Sequence, residues 1–237
     1  MSTSPDEYAT NMTDAQWDHL AGLLPDRLWQ RGGPGRPPCD VRLVINGLVY
    51  RAKTGCPWRL LPSSFGSWKT VYGYFNRWRQ QGHWNRILDT LTQQDRTDQG
   101  RRPTPSAGIV DAQSVKTATQ GKTIGYDAGK KVKGRKRHLL VDTDGRILEC
   151  VVTAASTSDA NGLKALLRIY FAPGVQRLKK LWVDGGYQGQ ELKKWVACLK
   201  KTHKIDLEVV QKQGPGFQVL PRRWVVERTF AWLFRSE

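Results

Sequence analysis

Leu178-Lys179-Lys180-Leu181-Trp182-Val183-Asp184-Gly185-Gly186-Tyr187-Gln188-Gly189 is the stretch on which the fold turns. A short apolar run ends on a carboxylate, and two glycines follow. A segment of helical spacing then carries Leu192, Trp195, Val196 and Leu199. A strand that delivers an acid to its carboxyl end, with a glycine turn into a helix, is how α/β sheets present a reactive group. Taken alone, Asp-Gly-Gly reads first as an ordinary strand-to-helix turn capped by Asp. Two further acids share its setting. Asp111 follows Ala107-Gly108-Ile109-Val110, and Glu227 lies within Arg222-Arg223-Trp224-Val225-Val226-Glu227-Arg228-Thr229-Phe230-Ala231-Trp232.

Outward from this stretch the element order can be read. Ile109-Val110-Asp111 is a short strand. Residues 118–135, rich in Gly and Lys, read as a flexible cationic loop. Arg137 to Asp142 and Arg146 to Val152 flank Thr143-Asp144-Gly145, and Asp-Gly between apolar runs is a hairpin signal. Asp159-Ala160-Asn161 opens a helix through Leu163, Leu166, Leu167 and Tyr170, closed by Pro173-Gly174. Ile205 to Val210 is a further strand, Gly214-Pro215-Gly216 breaks the chain, and Arg222 to Phe234 is a last helix. A hairpin followed by alternating helices and strands implies a mixed sheet flanked by helices. That is the element order of a ribonuclease H-like domain.

The first ninety-odd residues have another texture. Thr13-Asp14-Ala15-Gln16 has the form of a capping box ahead of Trp17, Leu20, Ala21 and Leu24. Residues 30–38 hold too much Gly and Pro for regular structure. Asp40 opens a second helix with an apolar stripe of Val41, Val44, Ile45, Leu48, Val49 and Ala52. After the turn Pro62 to Gly66, Ser67 can cap a third helix that buries Trp68, Val71, Tyr72, Phe75 and Trp78 and carries Lys69, Arg77 and Arg79 outside. Trp84, Ile87, Leu88 and Leu91 suggest a fourth. The pattern fits a helix-turn-helix and a plain helical bundle equally. The expected organisation is a small all-α part over residues 1–94, a polar linker over 95–106, and an α/β domain over 107–237.

The chain has 237 residues with a formal net charge of +17. Residues from 106 onward carry net +12 of it. Such an excess calls for a polyanionic partner, and nucleic acid fits best. No stretch approaches the roughly 20 apolar residues of a membrane span. Cys39, Cys56, Cys150 and Cys198 are scattered without metal-ligand spacing, so free thiols in a reducing cytoplasm are expected.

Three acids in a basic protein have a physical use. Close carboxylates repel, and a divalent cation removes that conflict. Magnesium suits a few carboxylates with water and phosphate oxygens, and two ions can serve phosphodiester chemistry. Each acid also has a structural account. Asp111 can cap a turn, and Glu227 can pair with Arg223 one helical turn back.

Several blocks in order carry a resemblance. They are Leu43 to Arg51 with Thr54-Gly55-Cys56-Pro57-Trp58-Arg59-Leu60-Leu61-Pro62, Asp111-Ala112-Gln113-Ser114-Val115-Lys116, and Gly125 to His138. Val183-Asp184-Gly185-Gly186-Tyr187 and Arg223-Trp224-Val225-Val226-Glu227-Arg228 complete them. With these, residues 13–237 resemble bacterial insertion-sequence transposases of the DDE type, in the IS-five-like group. The resemblance implies a ribonuclease H-like fold and magnesium-dependent DNA transposition. It makes Asp111, Asp184 and Glu227 the catalytic and metal-binding acids for two Mg²⁺ ions, with Mn²⁺ able to substitute.

The resemblance also implies double-stranded DNA as partner, both transposon ends and target, and a homodimer that pairs the ends in the bacterial cytoplasm, at the nucleoid. No membrane and no small-molecule substrate are expected. DNA contacts are expected from Lys69, Arg77, Arg79, Lys116, Lys133, Arg135, Lys136, Arg137, Tyr187, Arg223 and Arg228. Of the signature around the third acid, Arg223 and Glu227 match. Leu220 stands where a Tyr is usual, and Phe234, followed by Arg235, where a Lys is usual. Family members usually run further, so a C-terminally shortened copy is expected. A truncated DNA-binding repressor and a stand-alone nuclease are the competing readings.

Overall fold

The computed structural model describes residues 8–25, 39–117, 123–174, 177–187, 189–210 and 223–234, without the side chains of Arg223 and Phe234. The Gly/Pro segment at 30–38, the Gly214–Gly216 break, Leu220 and Arg235 lie outside the described residues. The chain divides into two compact units, Met1–Leu91 with Leu233–Glu237, and Thr92–Trp232.

The first unit is helical. α1 (Asp14–Ala21) starts on the expected capping box, with Gln16 N–H donating to Thr13 Oγ1 and Thr13 N–H to Gln16 Oε1. α2 (Val41–Thr54) is capped by Asp40, whose Oδ1 accepts the Arg42 N–H at 2.8 Å. α3 (Trp68–Gln80) and the start of α4 (His83–Asp98) complete the unit. Their core holds Val44, Ile45, Phe65, Val71 and Trp78. Tyr74 is buried, whereas Tyr72, read as buried, is exposed. Between α2 and α3 lie two short 3-10 turns, Trp58–Leu60 and Ser63–Phe65. That connection is longer than the three- or four-residue turn of a helix-turn-helix. The tight turn lies instead between α3 and α4, at Gln81-Gly82.

α4 runs to Asp98, into the stretch read as a linker. The reason is Arg96, which is buried against the fully buried Asp142. Most of the segment is exposed, and Arg96 is its one buried charge among the described residues.

The second unit is built on a six-stranded sheet: β1 (Ala107–Lys116), β2 (Gly125–Asp127), β3 (Val132–Asp142), β4 (Ile147–Ala154), β5 (Lys180–Asp184) and β6 (Asp206–Val210). The order is β2-β3-β1-β5-β6, with β4 paired to β3. β1, β3 and β4 are antiparallel, whereas β1, β5 and β6 are parallel. An antiparallel meander continued by two parallel strands, with crossover helices, is the ribonuclease H-like arrangement. The crossovers are α5 (Asp159–Phe171) and α6 (Gln190–His203), and α7 (Arg223–Phe234) follows.

One sheet face is apolar and covered. Val110, Leu140, Leu181 and Val183 pack with Leu163, Leu166 and Leu167 of α5 and Leu192 and Leu199 of α6. Full burial of one such side chain is worth about 1.5–3 kcal/mol. Among the described residues no helix is long and apolar enough to cross a membrane.

The cationic loop expected over 118–135 is corrected. β3 begins at Val132 and pairs with β1 from Gly134 onward. Gly134 permits it: a Cβ there would meet the Val115 carbonyl oxygen at 1.9 Å. The inward residues of this strand are Gly134, Lys136 and His138, so its period of two is hidden from hydrophobicity alone.

His138 is fully buried beneath α5, and burial pushes its imidazole down to about 4, leaving it uncharged at neutral pH. Its Nε2 meets Thr153 Oγ1 at 3.0 Å. A Cβ on Gly162 would meet the ring at 2.0 Å. Gly162→Ala is therefore expected to lower stability by about 1–3 kcal/mol despite alanine's better helix propensity. Urea denaturation reads this, and an unchanged midpoint would show that α5 does not rest on the ring.

Candidate active site

The parallel register of β1 and β5 assembles the centre. Ala107 pairs with Lys180, Gly108 with Leu181 and Ile109 with Trp182. The paired register ends there; the same offset continued two residues on would set Asp111 beside Asp184. Neighbouring strands are about 4.8 Å apart, so two acids distant in sequence become lateral neighbours. Both are half-buried. Asp111 Oδ1 accepts the Ala112 N–H at 2.7 Å. Asp184 Oδ1 accepts the Gly186 N–H at 2.8 Å, an Asx turn that uses the glycine pair.

The side-chain period of two fixes what shares their face. On β1, Gln113 and Val115 follow Asp111. Across the ladder, Asp111 opposes Leu139, Gln113 opposes Arg137 and Val115 opposes Arg135. Arg135 and Arg137 are half-buried, and Lys133 is exposed. Val152 opposes Arg137 on β4 and is 53% exposed, so this part of the face is open. Two acids thus stand beside a row of cations on one accessible surface.

Glu227 is placed differently. Val225, Val226, Thr229 and Phe230 are buried and set the rotation of α7. Thr229 Oγ1 donates to the Gly145 carbonyl at 2.9 Å, and Arg228 Nη2 to the Asp144 carbonyl at 2.6 Å. Gly145 makes this docking possible, because at φ 93° a Cβ there would meet Thr229 Oγ1 at 2.9 Å. Two residues on from Val225 and two before Thr229, Glu227 projects from the other side of the helix and is exposed. Among the described residues no three His, Cys, Asp or Glu side chains gather closely enough to hold a metal ion. Continued past its last pair, the β1–β5 register sets Asp111 and Asp184 on adjacent strands, while Glu227 comes from α7.

Three expected DNA contacts also change role. Lys136 is 5% exposed, with its ammonium 3.1 Å from Asp127 Oδ2 and 3.0 Å from Asp159 Oδ1. Its face of β3 looks into the domain. Tyr187 belongs to the apolar core, 2% exposed. Arg228 lies between Trp224 and Trp232, its guanidinium 4.5 and 4.6 Å from their rings, and holds the hairpin turn. By contrast, Lys116 and Lys133 are exposed, and so are Lys69, Arg77 and Arg79 on α3. The Arg223 side chain lies outside the described residues.

Sequence reasoning missed Asp127 and Asp159. Asp127 Oδ2 accepts from Ser114 Oγ at 2.6 Å, and its Oδ1 from the Lys130 N–H at 3.1 Å. The Ser114 hydroxyl, with the Lys130 N–H and the Lys136 ammonium, holds its carboxyl well below the usual range despite burial. The only sequence signal was a lysine at an inward strand position, which demands an acid.

Residues 102–236 match the family model described as "Transposase DDE domain", and residues 12–88 match "Putative transposase of IS4/5 family". An uncharacterized 16.2 kDa protein of insertion element IS402 from Burkholderia cepacia is 30% identical over 119 residues, covering 47% of this chain and 77% of that protein. The uncharacterized protein y4sN of Sinorhizobium fredii is 28% identical over 83 residues, 35% of this chain and 64% of its own length. Among solved structures, a Mos1 transposase paired-end complex with the left transposon end aligns at a TM-score of 0.27 and 14% identity. That alignment spans 76% of this chain and 61% of the other. At that score it adds nothing to the strand order already described.

Proposed function

The chain belongs to the DDE-domain transposase family, and on that premise we propose that it cuts and rejoins DNA at the ends of an insertion sequence. One observation supports the chemistry above all: the parallel β1–β5 register, continued two residues, would set Asp111 beside Asp184 on a face that also carries Arg135 and Arg137.

An all-carboxylate donor pair fits a hard dication, and Mg²⁺ is the natural occupant, with Mn²⁺ able to replace it. Two such ions would supply the positive charge that an attacked phosphodiester needs. Asp111 and Asp184 would hold them. Glu227 keeps its candidacy as third acid through the Arg223–Glu227 motif on α7. In this reading Arg135, Arg137, Lys133 and Lys116 track the DNA backbone across the sheet face, with Arg223 beside Glu227. Each phosphate neutralised releases counterions, so binding should weaken steeply with salt.

The helical unit, through Lys69, Arg77 and Arg79 on α3, would hold the terminal inverted repeats. Water attacks at the transposon end, and the freed 3′-hydroxyl then attacks target DNA. Joining two ends to one target favours a homodimer, working in the bacterial cytoplasm on nucleoid DNA.

The exposed position of Glu227 favours a second reading, an end-binding copy without catalysis. The two readings separate in one assay. A duplex bearing the flanking inverted repeat is incubated with the protein and Mg²⁺. Nicks at the repeat boundary and strand-transfer products support the transposase; a gel shift without cleavage in Mg²⁺ or Mn²⁺ supports the repressor. Cutting that ignores the repeat would indicate a general nuclease instead.

A further inference from the structure

Beneath the acid pair, on the covered side of the sheet, lies a polar cluster that the proposed chemistry does not use. Lys136 on β3 bridges Asp127, at the end of β2, and Asp159, in the first turn of α5. Asp127 is saturated by Ser114, the Lys130 N–H and Lys136. Asp159 is not: Lys136 engages only its Oδ1, and the other oxygen faces the glycine turn after Asp184. A Cβ on Gly186 would stand 3.7 Å from Asp159 Oδ2 and 3.0 Å from Asp184 Oδ1. The carboxylates of Asp159 and Asp184 therefore both border the same small residue.

We propose that Lys136 and Asp159 form a positioning pair for Asp184. This rests on the reading of Asp184 as a metal-holding acid. Lys136 fixes the Asp159 carboxylate and offsets its charge. Asp159 then backs the Gly185-Gly186 turn and denies Asp184 the rotamer that would swing toward α5. Asp184 keeps its Oδ1 on the Gly186 N–H. Groups that orient a ligand from behind are worth about 10- to 100-fold in metal affinity or activity when lost. Gly186 is part of the device, because a side chain there would press on Asp184 Oδ1 and fill the space against Asp159.

The test is Asp159→Asn in the full chain. Asp159 has 26% of its side chain exposed, and Lys136 keeps Asp127, so the fold should survive. Free Mn²⁺ is followed by its paramagnetic resonance signal as protein is titrated in, with no DNA present. Half-saturation is expected to need about 10-fold more Mn²⁺ than in the parent. The thermal midpoint should stay nearly unchanged. A merely structural pair would move the midpoint and leave Mn²⁺ affinity per folded molecule alone, and that outcome overturns the proposal. If Asp159→Asn does not fold, Asp159→Ser, which keeps an oxygen in the first turn of α5, is read in the same way. Asp184→Asn is the control. If it too leaves Mn²⁺ binding unchanged, the reading of Asp184 has failed; if it abolishes binding while Asp159→Asn has no effect, only the positioning role has.

Discussion

Asp184→Asn is expected to lower the rate of Mg²⁺-dependent cleavage at the transposon end by about 10²- to 10³-fold, the loss typical when a group that stabilises transition-state charge is removed. The substitution is close to isosteric. The Asn oxygen can still accept the Gly186 N–H that Asp184 accepts at 2.8 Å, so the turn should persist. What disappears is a negative charge at the end of β5 and a ligand for a hard cation. Asp111→Asn should do the same from β1. Because the two act on one centre, the double variant should be hardly slower than either single one. Single-turnover cleavage on the end-bearing duplex measures this. A variant that cuts as fast as the parent removes Asp184 from the chemistry.

The largest effect on stability is expected elsewhere. Asp142 closes β3, is fully buried, and accepts the N–H groups of Asp144 at 2.9 Å and Arg146 at 3.0 Å. Its Oδ2 pairs with the buried Arg96 of α4 and lies 3.2 Å from Arg146 Nη1. Burial alone would raise its pKa. The N–H groups of Arg146 and Asp144, with the Arg146 guanidinium, outweigh burial and hold it below the usual carboxylate range. Asp142→Ala leaves Arg96 desolvated and unpaired and frees the hairpin turn that receives Arg228 and Thr229. Breaking a buried pair from one side costs about 3–5 kcal/mol.

Chemical denaturation of the variant reads that cost. A loss below about 1 kcal/mol would place the pair with ordinary surface contacts. The depressed pKa also sets the sign with pH. This contribution is present above the ordinary carboxylate range and is lost as pH falls through the folded value.

Much of this architecture could be read before the structure. The Asp184 strand, the Asp144-Gly145 hairpin and α5 announced themselves because apolar periodicity and turn chemistry agreed there. β3 did not, since its inward positions are Gly134, Lys136 and His138. Their partners, Ser114, Asp127, Asp159 and Gly162, come from four other elements that no local window contains. Lys136 was read as a solvent-facing cation for the same reason. Tyr187 was read as a DNA contact, although the chain turns it inward after the glycine pair. The side-by-side placement of Asp111 and Asp184 was only implied by family resemblance. It became physical through the β1–β5 register. The position of Glu227 depends on how α7 docks on the hairpin turn, and helical periodicity says nothing about that.

Everything proposed for the sheet face depends on Asp111 and Asp184 meeting across two strands. Cross-linking tests this most directly. With Cys39, Cys56, Cys150 and Cys198 replaced by Ser, Asp111→Cys and Asp184→Cys are combined and the protein is mildly oxidised. Disulfides form where Cα atoms lie about 4.4–6.8 Å apart, and the roughly 4.8 Å spacing of neighbouring strands falls in that range. The account predicts an intramolecular disulfide between positions 111 and 184 in the folded protein, seen as loss of both thiols by mass spectrometry. Two thiols that stay free under oxidation, in a protein whose circular dichroism matches the parent, would contradict it.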